Sequence, residues 1–294
     1  MLTQSVPATI EQTKEQQKGR EVLALPRYKY LVLDVDGTLI GKGAYPSRRV
    51  TEAIRAAQAK GVKISLSTGR ATEACYHLFK HLKLSGLHVV FDGAAVVDWP
   101  SNDLVFLKAL PPNAAAQLIR LARQYDLFLE IYAHDFYFIE KEGPLADHQR
   151  EKLQINPLVT DLMRLVNRIK IVKGQLLAAN EDEKRRADIV SQQMEQYCKM
   201  SWSLDPSNGI YFGNAVARTV SKAGALKDML DYQGFSLNDV LVVGDSFNDY
   251  TTFTVAGTCV AMGNAPDKLK EIAHWVAPPV DQDGVAAVIE KFIL

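Results

Sequence analysis

The chain has 294 residues, enough for about two domains at roughly 150 residues each. Hydrophobic residues make up 47% and charged residues 23%, which excludes a collagen, a largely disordered chain and a disulfide-stapled miniprotein. The 34 basic residues balance 34 acidic ones, and zero net charge argues against a dedicated nucleic-acid binder. No apolar run approaches the ~18 residues of a membrane-spanning helix, so neither membrane nor nucleic acid is an expected partner. Cys75, Cys198 and Cys259 are scattered and odd in number, as for reduced thiols in a cytoplasmic protein. Residues 1–25 are rich in Gln, Glu, Lys and Thr and lack the apolar core of a secretory signal; they read as a disordered, solvated tail.

From residue 28, short β-branched runs alternate with helical patterns. A strand is predicted over 28–34 (YKYLVLD), a helix over 47–60 with Val50, Ile54 and Ala57 on one face, a strand over 62–67 and a third over 88–91. One βαβ unit of this kind implies a parallel sheet. The texture changes after Gly93: strands at 96–98, 104–107, 127–132 and 136–140, a helix at 112–125, a strand at 168–173, a charged helix at 181–199, and strands at 200–204 and 209–212. The βα alternation then resumes, with helices at 222–232, near 250–256, at 265–273 and at 283–293 and strands at 239–244 and 258–262. The simplest account is an α/β core spanning 26–94 and 216–294, interrupted by an α+β insertion over 95–215.

Four segments carry the chemistry. In Asp34-Val35-Asp36-Gly37-Thr38, after a buried strand, residues i and i+2 of an extended chain point the same way, so two carboxylates share a side. Like charges that close need a counter-ion, and a hard cation such as Mg²⁺ supplies one. An EF-hand calcium loop is excluded, because Gly stands fourth, Tyr45 occupies position 12 and the preceding element is a strand. Ser67-Thr68-Gly69-Arg70 ends the next strand and opens a helix, a ready anion site, although an N-capping Thr explains it equally. Ser221-Lys222 opens the helix after the insertion, and Gly244-Asp245-Ser246-Phe247-Asn248-Asp249 follows the apolar strand VLVVG.

Taken in this order, the four segments resemble the haloacid dehalogenase superfamily: D-x-D-G-T, a Ser/Thr, a Lys, then G-D-x-x-N-D. More closely, the chain resembles the Cof-type phosphatases, which carry a large α/β cap between the second and third motifs. Thr68 and Lys222 are 154 residues apart, room for that cap, whereas Asp36 and Thr68 are only 32 apart. Asp92-Gly93-Ala94, Met262-Gly263-Asn264-Ala265 and Asp283-Gly284-Val285 match further; Asp92 stands where the family commonly has Asn, Tyr250-Thr251-Thr252-Phe253 departs from the usual Ile-x-Met-Leu, and the stretch 213–219 is slightly longer than usual.

The resemblance implies a Rossmann-like parallel-sheet core with helices on both faces, an inserted α+β cap, and a Mg²⁺-dependent phosphatase acting on a small phosphorylated metabolite. It implies Asp34 as nucleophile and Asp36 as acid and base. Mg²⁺ would be held by Asp34, the Asp36 carbonyl and Asp245, and the phosphate by Thr68, Gly69, Lys222 and Asn248, with Asp249 in support. The turn at His134-Asp135 is a candidate substrate-contacting tip, though an ordinary polar turn fits it as well. A phosphotransferase or mutase on the same fold, or a non-catalytic binding protein, remains open at this point. His77 and His81, four apart on a predicted helix, lack a third ligand and read as a solvated face.

Overall fold

The computed structural model describes residues 27–153, 155–205 and 208–294; the tail at 1–25 lies outside the described residues. Five strands form a fully parallel sheet: β1 (Tyr30–Leu33), β2 (Lys63–Leu66), β12 (Val240–Gly244), β13 (Thr258–Ala261) and β14 (Trp275–Val276), ordered β14-β13-β12-β1-β2. Parallel sheets are stable when both faces are covered, and the run YLVL of β1 is buried on both. Leu31, Leu33, Ile64, Leu241 and Val260 pack on one side with α1 (Arg48–Ala59), α2 (Tyr76–His81) and α9 (Gly284–Phe292). Tyr30, Val32, Val240 and Val242 pack on the other with Leu226, Met229 and Leu230 of α6 (Lys222–Gln233). Helix α1 forms where predicted: Ser47 caps it by accepting from the Val50 N–H, and Val50, Ile54 and Ala57 lie on its buried face. Full burial of a side chain such as Ile54 contributes about 1.5–3 kcal/mol.

Beyond β2 the sheet continues through a single parallel bridge, Ser67 to Val89, into an antiparallel meander of β3 (Gly86–Val90), β4 (Ala95–Trp99) and β5 (Asp103–Leu107). Of the two strands expected at the start of the insertion, β4 pairs with β3 and β5 with β4, and Val96 joins the layer beneath α6.

The rest of the intervening chain builds a second sheet, ordered β10-β11-β9-β6-β7-β8: β6 (Phe128–Tyr132), β7 (Tyr137–Ile139), β8 (Leu158–Val159), β9 (Lys173–Ala178), β10 (Lys199–Leu204) and β11 (Tyr211–Val216). Helices α3 (Pro112–Gln124) and α5 (Glu181–Met194) cover one face, where Leu118, Ile119, Val190 and Met194 meet Leu129, Ile131 and Leu176. Helix α4 (Pro144–Leu153), which no periodicity announced, reaches the opposite face through Ala146 and Gln149. The fold is an α/β core with an added α+β unit. The two meet in a buried layer of Phe91, Ala94 and Val97 against Tyr132, Ile139 and Val172.

Two strands are displaced from expectation, and the one read at 209–212 lies at Tyr211–Val216. The strand read at 168–173 lies at Lys173–Ala178, while residues 171–172 lead into it, with Ile171 O accepting from Leu110 N and Val172 N donating to Tyr132 O. Hydropathy favours the apolar 169–172 run, but β9 buries Lys173 and Gln175, and a buried polar face leaves no apolar signal.

His88 on β3 sets an acid limit on stability. Its ring stacks on Phe79 at 4.3 Å, its Nδ1 accepts from the Leu66 N–H at 3.1 Å, and burial pushes it down to about 3. The native state then holds His88 neutral while the unfolded chain protonates it below its ordinary value of 6.5. Stability contributed by the neutral ring is complete above that value and falls with pH toward 3, by up to ~1.4 kcal/mol per pH unit. Urea unfolding from pH 7 to 4 is expected to show a shallower acid limb in His88→Gln than in the wild type; parallel curves would refute this.

Candidate active site

The carboxyl ends of parallel strands are where an open α/β sheet leaves backbone groups and side chains free to meet a ligand. Asp34 directly follows β1, Thr68 stands two residues past the end of β2, and Asp245 directly follows β12. Lys222 opens α6, which Ser221 caps by accepting from the Gly224 N–H. Gly93, at φ +93°, lies against that cap; a Cβ there would stand 2.4 Å from the Ser221 carbonyl oxygen. The start of the helix, and so the lysine, is seated by a contact no other residue permits.

The Lys222 side chain is 1% exposed; its ammonium donates to Asp34 Oδ1 at 2.6 Å and to Asp249 Oδ1 at 2.8 Å. The other oxygen of Asp249 accepts from the backbone N–H groups of Asp245 and Ser246, at 3.1 and 3.2 Å. Asp245 accepts from the Thr38 hydroxyl at 2.8 Å and lies 3.3 Å from Asn264 Nδ2, which also donates to the Gly37 carbonyl. Gly37, at φ +85°, leaves the space Asp245 uses, since a Cβ there would meet Asp245 Oδ2 at 2.1 Å.

Burial, then the Asp249 charge, pushes Asp34 well above the ordinary carboxylate range, against the pull of Lys222. Burial also pushes Asp245 up to about 6, opposed by the Thr38 hydrogen bond and assisted by Asp249. For Lys222, burial works against the charge, but Asp34 and Asp249 outweigh it and hold the ammonium firmly protonated.

The carboxylate oxygens of Asp34, Asp245 and Asp249 lie within 4.8 Å of one another. Three carboxylates against one ammonium leave a formal deficit of two positive charges in a buried place. Hard oxygen donors at that spacing, with Gly37 keeping the approach to Asp245 open, fit a divalent cation such as Mg²⁺.

Other expected residues stand close by in the chain but are differently engaged. The Asp36 side chain is exposed and paired to the Arg70 guanidinium, which donates through Nε at 2.9 Å and Nη2 at 2.6 Å. Thr68 is buried, and its hydroxyl accepts from the Arg70 N–H at 3.1 Å, as a local turn would have it. A Cβ on Gly69 would meet Asp92 Oδ1 at 2.8 Å, so this glycine lets the Asp92 carboxylate lie against the loop. Asn248 is exposed, its Oδ1 accepting from the Ser246 hydroxyl. His134 and Asp135, in the turn between β6 and β7, lie against the β4–β5 turn: His134 Nε2 is 3.1 Å from the Asn102 carbonyl, and Asp135 Oδ1 accepts from Asn102 Nδ2 at 3.0 Å. His77 lies 3.1 Å from the Ala44 carbonyl, and the Tyr45 ring stands against it and against His81. Thr38, Arg70 and Asn264 were quoted within motifs without a role; only the folded chain shows what they touch.

A strand-end carboxylate against a buried lysine, beneath an added sheet, defines a capped α/β enzyme. A family model described as haloacid dehalogenase-like hydrolase matches residues 31–289. Two curated relatives cover nearly their whole length. The 5-amino-6-(5-phospho-D-ribitylamino)uracil phosphatase YcsE of Bacillus subtilis (strain 168) is 28% identical over 268 residues, 90% of this chain and 96% of its own. The pyridoxal phosphate phosphatase YbhA of Escherichia coli (strain K12) is 26% identical over 280 residues, 90% and 99%. A crystal structure of a haloacid dehalogenase-like hydrolase from Bacteroides thetaiotaomicron superposes with a TM-score of 0.80 at 24% identity, covering 90% of this chain and 99% of that one. The chain belongs to the haloacid dehalogenase-like hydrolases. It is a phosphatase of the Cof type within them.

Proposed function

We propose that the chain hydrolyses the phosphate monoester of a small metabolite, a sugar phosphate or a cofactor phosphate, through a phosphoryl group carried on Asp34 and with Mg²⁺ as cofactor. The observation that carries this reading is the buried Asp34–Lys222 pair inside a three-carboxylate cluster. A carboxylate oxygen of Asp34 forms the bond to phosphorus as the ester oxygen leaves, and Asp36 gives that oxygen its proton. Water then attacks phosphorus, Asp36 accepts the water's proton, phosphate departs and the Asp34 carboxylate is restored. Lys222, the Thr68 hydroxyl, the Gly69 N–H and Asn248 bind the transferring oxygens, where charge is spread in the transition state. Asp249 holds Lys222 in line, and Arg70 holds Asp36.

Asp34, the Asp36 carbonyl and Asp245 would hold Mg²⁺, which when bound offsets the repulsion between Asp34 and a phosphate. Two unit charges at 4 Å repel by about 4 kcal/mol at an effective dielectric of 20. In the domain division that accompanies this reading, β4 and β5 belong to the core and the cap runs from α3 to β11. His134 and Asp135 then dock the cap on Asn102 rather than touching substrate.

Phosphate release from a panel of phosphorylated metabolites is expected with Mg²⁺ and not with EDTA. Mg²⁺ should also raise the melting temperature, by the equivalent of ~2.7 kcal/mol at 100 times its Kd. Asp245→Asn should lose most of that shift. Phosphate release undiminished by EDTA would remove the cation from the reading; phosphoryl transfer to an added sugar without free phosphate would favour a transferase.

A further inference from the structure

Phe91, Asp92 and Gly93 run in succession through left-handed backbone, at φ +52°, +58° and +93°. For a bulky residue such as Phe91 that conformation is strained, and such strain persists only where the surroundings over-determine it. Here they do. The Phe91 N–H donates to the Arg70 carbonyl at 2.9 Å, and the Asp92 N–H to the Thr68 carbonyl at 3.0 Å. Gly93 lies against the Ser221 carbonyl, and Ala94 closes the turn by donating to the Phe91 carbonyl at 3.0 Å. The turn is thus clamped between the two segments that supply Thr68, Gly69 and Lys222 to the phosphate in the reading above.

The clamp also fixes where the Asp92 carboxylate lies. A Cβ on Gly69 would stand 2.8 Å from its Oδ1 and 3.1 Å from its Oδ2. No left-handed φ calls for glycine at 69; the carboxylate does. The Asp92 side chain is partly buried, and among the described residues no donor reaches its oxygens and no cation pairs with them. Its charge nevertheless acts on two buried ammoniums, Lys222 of the core and Lys173 of the cap. Asn takes left-handed backbone as Asp does and would give the turn the same shape without a charge. A partly desolvated charge without a partner is costly, so it is the charge, not the turn, that needs a reason.

We propose that Asp92 weakens the hold on free phosphate, so that the product leaves a cradle whose other groups all attract it. The inference rests on the phosphatase reading above and adds a residue that takes no part in bond making. Lys222, the Thr68 hydroxyl, the Gly69 N–H and Asn248 attract phosphoryl oxygens whether the group is being transferred or has already been released. A fixed negative charge beside Gly69 tells the two apart. The transferring group is metaphosphate-like, with about one negative charge over its three oxygens, whereas a phosphate ester and free phosphate carry up to about two. Repulsion by Asp92 therefore raises the ground state and the product more than the transition state, and that difference favours turnover.

The test is Asp92→Asn, which removes the charge and keeps the turn. With Mg²⁺ present, inorganic phosphate is expected to inhibit the variant about 10-fold more tightly than the wild type, the scale of one unit charge acting across ~10 Å at an effective dielectric of 20. Phosphate should also raise the melting temperature of the variant more. KM for each ester should fall by a similar factor and kcat by about 3-fold, because the ground state gains more than the transition state. Asp92→Gly, equally suited to left-handed backbone, should act in the same direction. A damaged cradle would bind phosphate more weakly, so the sign separates a charge effect from a structural one. Phosphate inhibition equal to or weaker than that of the wild type in both variants, or a rise in kcat, would overturn the proposal. The phosphatase reading fails separately, if no ester releases phosphate and added phosphate shifts the melting temperature of neither wild type nor variant.

Discussion

Asp34→Asn is expected to lower phosphate release by about 10⁴-fold or more, the scale on which removing a covalent nucleophile acts. The same change should stabilise the protein without added metal. Asp34 is held well above its ordinary value of 3.8, chiefly by burial and by the neighbouring Asp249 charge, so ionising it in the folded state opposes folding. The sign follows from linkage: the native state holds this proton more tightly than the unfolded chain, so the favourable contribution is complete below about 3.8 and is lost as pH rises toward the folded value. An Asn cannot ionise, and Lys222 keeps Asp249 at 2.8 Å. Urea unfolding at pH 7 in EDTA should therefore show the variant more stable than the wild type, and a fluorescence titration should show weaker Mg²⁺ binding. Near-wild-type turnover would defeat the covalent mechanism, and a destabilised variant would defeat the electrostatic account.

Lys222→Met makes the opposite demand. It leaves Asp34, Asp245 and Asp249 together with no ammonium among them. Stripping one partner from a buried ion pair costs about 3–5 kcal/mol, and losing a cation that faces the transferring phosphoryl group costs about 10²–10³ in kcat. Part of the lost stability should return toward pH 5, because Asp245, pushed up to about 6, takes a proton there and the repulsion eases. Mg²⁺ should restore stability more than turnover. An unfolding free energy unchanged from the wild type at pH 7 would contradict the cluster's charge count.

Much of this was legible beforehand. The βαβ alternation predicted a parallel sheet because a strand buried on both faces is a run of apolar, β-branched residues, as YLVL and VLVVG are. Acids directly after such runs marked strand ends, and Asp34 and Asp245 stand there. Elements whose signal is weak were missed or misplaced: α4 is mostly polar, β8 has two residues, and β9, read at 168–173, carries a buried polar face that drew the reading to the apolar run before it. Local pattern says nothing about the partner of a strand, and the pairing of β4 with β3 and of β5 with β4 could be read only from the fold.

The chain order of residue types was sufficient to establish an α/β core, an insertion between Thr68 and Lys222, and the acids and lysine that form the centre. These are local quantities, since periodicity, strand ends and motif order need no knowledge of what lies opposite. Tertiary structure alone decided that the supporting Asp249 takes Lys222 as its partner, that Arg70 pairs with Asp36, that His134 and Asp135 rest on Asn102, and that Lys173 is buried among polar groups beside Phe91. Each of these is a contact between residues 27 to 82 positions apart in sequence. The energy of a charge depends on which other charges the fold brings within a few ångströms of it, and that distance is set by packing rather than by sequence neighbourhood.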